Sequence, residues 1–180
     1  MDLFTFFTER KNEYIKALQL GRDRLAGKEE YETFVDVLDN KPGTDPSSFR
    51  HDILIRVDKE HYFDLTMNVP PSVYPIPEYL ELGQCRIVME SFVWNGCEIH
   101  FTDGKPDEKM LKDWYLKAFC PEKEQLNKEF INVVHSLSFS RDKNSIVVDF
   151  GTYPVQGVLD FFDLLSRTCC TGLILRSAYQ

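Results

Sequence analysis

Three consecutive stretches near the end of the chain constrain its fold most: Ile146 to Phe150, Pro154 to Arg167 and Leu173 to Arg176. The outer two are short apolar runs, and the middle one carries Val155, Val158, Leu159, Phe162 and Leu165 at helical spacing. This order predicts strand, helix, strand, with a right-handed crossover joining parallel strands. Thr152 is positioned as the helix N-cap. The loop after Phe150 holds Gly151 but no glycine run or lysine, so it lacks the chemistry that cradles a phosphate.

Upstream, Phe4, Phe7, Tyr14, Leu18 and Leu25 predict a helix from about Phe4 or Glu9 to Leu25. Tyr31, Phe34, Val35 and Leu38 repeat at i, i+3, i+4, i+7 and predict a second helix over Glu29 to Asp39. Asn40 to Ser48 has turn chemistry. Asp52 to Val57 and His61 to Val69 read as a hairpin, with His61, Phe63, Leu65, Met67 and Val69 on one face of the second strand. Pro70 to Gly83 contains four prolines, which exclude a central strand and predict a constrained loop.

Asn95-Gly96 lies between Cys85–Trp94 and Cys97–Thr102, a two-residue hairpin signature. That register sets Trp94 against Cys97, Phe92 against Ile99 and Glu90 against Phe101, with Ser91 opposite His100 on the other face. Asp107 to Phe119 predicts a helix. A further helix is expected after Pro121, through Leu126, Phe130, Val133, Val134 and Leu137. The resulting fold class is α+β: a mixed sheet with antiparallel hairpins, packed by several helices and ending in a βαβ-like unit. The organisation is one domain over 1–180, with 1–40 readable as an appended helical element.

Charge and cysteine content narrow the function. Twenty-nine acidic against 21 basic residues give a formal charge of -8, which disfavours generic attraction to nucleic-acid phosphates or anionic lipid. No run approaches the roughly 20 apolar residues of a membrane span, and the start MDLFTFFTERK has no secretion pattern, so a soluble, cytoplasmic protein is expected. Five cysteines form no small-domain framework and favour reduced thiols. Cys169-Cys170 is not a CxxC pair.

Four carboxylates and histidines stand out as candidate catalytic groups. Glu90 interrupts an apolar series and needs either a partner or exposure. His100 lies on the other face of the same predicted hairpin, and Asp64 on the polar face of the strand His61 to Val69. Asp149 sits at the carboxyl end of its strand, where open α/β sheets place ligands, although a bond to the following loop also accounts for it. His51, His61, His100 and His135 show no close ligand pair, so dispersed packing is expected and no metal or cofactor is assigned. Tyr62, Tyr74, Tyr79 and Trp94 are the candidate partner-binding aromatics.

The leading functional expectation is a nonenzymatic, acidic protein-binding domain, an intracellular inhibitor or adaptor with a protein partner. One alternative is a small hydrolase or transferase with a carboxylate/histidine site. Another is a structural subunit of a homo-oligomer or complex.

Overall fold

The computed structural model describes residues 2–25, 29–31, 34–35, 49–50, 52–56, 61–119, 132–140, 144–168 and 171–179. Helix α1 spans Leu3–Asp23, and Asp2 caps it by accepting from Thr5 N at 2.9 Å. Its apolar stripe of Phe6, Phe7, Tyr14 and Leu18 is buried. A three-stranded antiparallel sheet follows, ordered β1 (Glu29–Tyr31), β4 (Ile53–Arg56), β5 (Tyr62–Leu65). β2 (Phe34–Val35) pairs separately with β3 (Phe49–Arg50).

The main sheet has six strands among the described residues. In spatial order these are β6 (Ser72–Leu82), β7 (Cys85–Phe92), β11 (Gly172–Ser177), β8 (Cys97–Phe101), β10 (Ser145–Asp149) and β9 (Ser136–Phe139). Among the described strands of this sheet, only β7 and β11 pair in parallel. Helix α2 covers Glu108–Phe119 and α3 covers Val155–Thr168, so the fold is α+β with a mixed sheet and a βαβ-like end. β10 and β11 run parallel on either side of β8, to which both are antiparallel. Their apolar side chains Ile146, Val148, Leu173 and Leu175 share one core with Phe6 and Phe7 of α1, Leu111 and Tyr115 of α2, and Phe161 and Phe162 of α3. Phe7 stacks on Phe162 at 5.3 Å and Trp114 on Phe161 at 3.9 Å, each adding about 0.5–1.5 kcal/mol beyond area burial.

Several local expectations are corrected by longer-range pairing. The hairpin signature at Asn95-Gly96 does produce a turn, but β7 and β8 do not pair. β11 runs between them, with Leu173 opposite Ile87 on one side and Phe101 on the other. β11 carries apolar side chains on both faces and satisfies the backbone of both neighbours, which a two-strand ladder leaves half unpaired. Glu90 therefore faces Arg176 rather than Phe101. Gly172 permits the entry, since a β-carbon there would lie 2.5 Å from Thr102 Oγ1. Asp103 fixes the preceding residue, accepting from Thr171 N at 3.0 Å and Thr171 Oγ1 at 2.6 Å.

The proline-rich segment is a strand rather than a loop. β6 is an edge strand that pairs with β7 through Ser72–Val73 and again from Glu78, and residues 74–77 lie opposite Glu90 alone. Pro75 and Pro77 fall within this shift, where no ladder donor is required. Glu29–Tyr31 and Phe34–Val35 are strands, not the predicted helix, because aromatic and β-branched residues suit a ladder as well as a helix face. Residues 36–48 lie outside the described residues.

The expected hairpin over Asp52 to Val69 is present as β4 and β5, although Phe63 on its supposed core face is 63% exposed. Residues 120–131 are outside the described residues, but Val133, Val134 and His135 lie in no helix, and Leu137 is in β9. Asn132 adopts φ 60, after which Val134 N donates to Ala118 O and His135 N to Asp149 O. Thr152 is not the α3 cap. It is buried, and its Oγ1 accepts from Val133 N at 3.3 Å.

Candidate functional site

Where the small sheet meets the end of the large one, three titratable side chains converge. Asp52 immediately precedes β4, and its neighbour Ile53 is anchored in the core. His135 immediately precedes β9, and its backbone N–H extends the β9–β10 ladder by donating to Asp149 O at 2.9 Å. Asp149 is the last residue of β10. One ligand-type atom from each residue falls within 4.8 Å of the other two.

His135 Nδ1 lies 3.1 Å from Asp52 Oδ1 and 3.8 Å from Asp149 Oδ2. The imidazole is fully buried and the Asp52 carboxylate nearly so, whereas Asp149 is 16% exposed and forms the outward side. Asp52 is held from behind. Its Oδ1 accepts from the Tyr14 hydroxyl, and its Oδ2 accepts from Met67 N at 2.6 Å. Asp149 Oδ1 accepts from Gly151 N at 2.8 Å, fixing the strand-to-helix turn. Gly151 O in turn accepts from Trp94 Nε1 at 2.7 Å. Buried charges of this kind persist only when oriented and hydrogen-bonded on several sides.

Two further polar groups border the cluster. Asn95 is buried, and its Nδ2 donates to Met67 O at 2.6 Å, placing it two hydrogen bonds from Asp52. Tyr179 packs its ring over Gly96 and donates its hydroxyl to Asn95 O at 2.9 Å. Burial first, and then the nearness of Asp149 and Asp52, push the Tyr179 hydroxyl above the ordinary tyrosine range.

Of the four predicted catalytic residues, Asp149 alone belongs to this cluster. Glu90 is half-buried and accepts from Arg176 Nε at 2.7 Å, a structural ion pair on the open face of the sheet. Both side chains are about 40% exposed (39% and 41%), so Glu90→Gln is expected to change unfolding free energy in urea by about 1 kcal/mol or less. A larger loss would mean that the pair organises its neighbours. His100 is half-buried on β8 opposite Ile174, and Asp64 is exposed on β5.

Of the aromatic candidates, Trp94 is 1% exposed and embedded in the core, which corrects its expected role as an exposed contact. Tyr79 is 55% exposed, with the Arg86 guanidinium 4.0 Å from its ring centroid. Tyr62 and Tyr74 lie on β5 and β6, and their side chains are outside the described set. Cys85 and Cys97 are buried, and burial pushes the Cys97 thiol far up, away from thiolate chemistry. His51, Cys120, Cys169 and Cys170 lie outside the described residues.

Sequence reasoning passed over Asp52 and treated His135 as one of four dispersed histidines. The available signal was Asp52 as a charge opening an apolar strand, with Tyr14 as a hydroxyl on an otherwise hydrocarbon helix face.

No protein-family model, curated protein or solved structure matches the chain. The site geometry corrects the expectation of a nonenzymatic acidic binding domain. A buried histidine between two aspartates is an arrangement suited to catalysis or metal binding, and it favours the enzymatic alternative. No helix among the described residues is long and apolar enough to cross a membrane.

Proposed function

We propose that the chain is an enzyme, a small hydrolase or transferase whose centre is Asp52, His135 and Asp149. The observation that carries this reading is the approach of three donor atoms within 4.8 Å, one from each residue, in an almost closed interior. Asp52 is the anchor, since Tyr14 and Met67 occupy it from behind. His135 occupies the middle of the cluster. Asp149 is the member that reaches toward solvent and is the one a substrate hydroxyl or a water meets first.

A panel of chromogenic carboxyl, phosphate and glycosyl esters, with water or an alcohol as acceptor, tests the reading. Asp149→Asn preserves the shape of the side chain and an oxygen for Gly151 N. It is expected to lower kcat/KM by about 100-fold or more while leaving urea unfolding within about 1 kcal/mol of wild type. Turnover that is unchanged in Asp149→Asn would place the reaction elsewhere on the molecule.

A further inference from the structure

We infer that Asp52, His135 and Asp149 bind one divalent first-row transition-metal ion, of the zinc or manganese type, through His135 Nδ1 and one oxygen of each carboxylate. The inference rests on the reading of these residues as the catalytic centre and deepens it by naming the cofactor class. Metal bonds of about 2.0–2.2 Å at tetrahedral or octahedral angles separate neighbouring donors by about 2.8–3.6 Å. The 3.1 Å from His135 Nδ1 to Asp52 Oδ1 falls in that range, and the 3.8 Å to Asp149 Oδ2 closes to it with a small movement of the outward side chain.

Charge accounting favours a dication. With both carboxylates ionised, an imidazolium leaves one negative charge in a largely dry site, whereas a dication beside neutral imidazole leaves none. The donor set selects among cations. One imidazole nitrogen with two carboxylates suits zinc, manganese, iron or cobalt, whereas calcium takes six to eight oxygens. Three protein ligands also leave a coordination position for water, which a catalytic ion requires and a structural one lacks.

The surroundings match the outer shell of a metal site. Tyr14 Oη and Met67 N orient Asp52, and Gly151 N orients Asp149. An independent observation points to an additional bound group. Asn95 must turn its NH2 toward Met67 O, an acceptor only, so its other atom is the amide oxygen. That oxygen is buried and accepts from no donor among the described residues. An acceptor in that state calls for a bound water or cation beside Asn95, two hydrogen bonds from Asp52.

The test uses the full chain, stripped with chelator and titrated with Zn2+ by calorimetry and with Co2+ by visible absorption. One ion per chain is expected, with a Co2+ spectrum of nitrogen and oxygen ligation and a shift of the His135 ring 15N resonances. Asp149→Asn, with its fold verified by urea unfolding, should weaken binding by about 100-fold or more, and Tyr14→Phe by about 10-fold. Failure to take up a stoichiometric ion at millimolar metal, or equal binding by Asp149→Asn, would overturn the inference.

The ester panel run on stripped and loaded protein separates this inference from the catalytic reading. Asp149-dependent turnover by stripped protein that takes up no metal would remove the ion and keep the enzyme. Stoichiometric, Asp149-dependent metal without turnover on any substrate class would keep the ion and remove the enzyme.

Discussion

Gly151→Ala is expected to destabilise the fold by about 2–4 kcal/mol and to disorganise the Asp52–His135–Asp149 cluster together with it. Two costs combine at this position. Gly151 sits at φ +49, a left-handed conformation that a side chain adopts only at a penalty of about 1–2 kcal/mol. A β-carbon there would also lie 2.2 Å from His135 Cδ2 and 2.5 Å from Nε2, well inside van der Waals contact. The ring cannot retreat freely, because it is fully buried with the Tyr14 ring edge-on to it at 6.4 Å. Overpacking of such a site costs about 1–3 kcal/mol in its own right. Urea unfolding and metal titration of the same variant check the prediction. If stability falls while metal affinity stays at the wild-type value, the backbone term alone is acting and His135 has not moved.

The Gly151 example separates what the sequence makes legible from what it hides. Phosphate-loop chemistry is absent around Gly151, and the chain read locally says so. The glycine's purpose is instead the room it leaves for a histidine from before β9, a relation no local pattern records. The same division runs through the fold. The strand–helix–strand end, the first helix and the helix over Glu108–Phe119 are carried by periodic burial within one segment, and they stand as expected. The Asn95-Gly96 hairpin fails because β11 brings a better partner to both strands from 70 or more residues away.

Likewise, Asp149 was visible from its position at a strand end, while Asp52 and His135 gain meaning only when β4 is set against the end of β10. Tyr14, Met67 and Gly151 orient these side chains through bonds and contacts between distant segments. The individual residues are ordinary, and their juxtaposition is what carries the chemistry.

The second large effect is expected at Asp52. Asp52→Ala removes the acceptor for the Tyr14 hydroxyl and for Met67 N, and takes away the carboxylate 3.1 Å from His135 Nδ1, all in the interior. Truncating one member of a buried charged network costs about 3–5 kcal/mol, mainly through the polar groups it strands. Asp52→Asn should cost less, because one amide oxygen still serves one of the two donors. Its NH2 must then face the other donor or the imidazole. Tyr14→Phe alone should cost about 1–2 kcal/mol.

The decisive quantity is the coupling between these substitutions. In Asp52→Ala the buried Tyr14 hydroxyl loses its carboxylate acceptor, so adding Tyr14→Phe should recover about 1 kcal/mol and make the double variant more stable than the sum of the singles implies. Urea unfolding of all four proteins, in the metal-free state, yields that coupling. Strict additivity, within about 0.5 kcal/mol, would mean that the hydroxyl and the carboxylate do not depend on one another. Asp52 would then be held by the backbone of Met67 and by His135, and the rigidity attributed to the anchor of the site would have to come from these and from the packing of Ile53 and Met67 against Gly21 of α1.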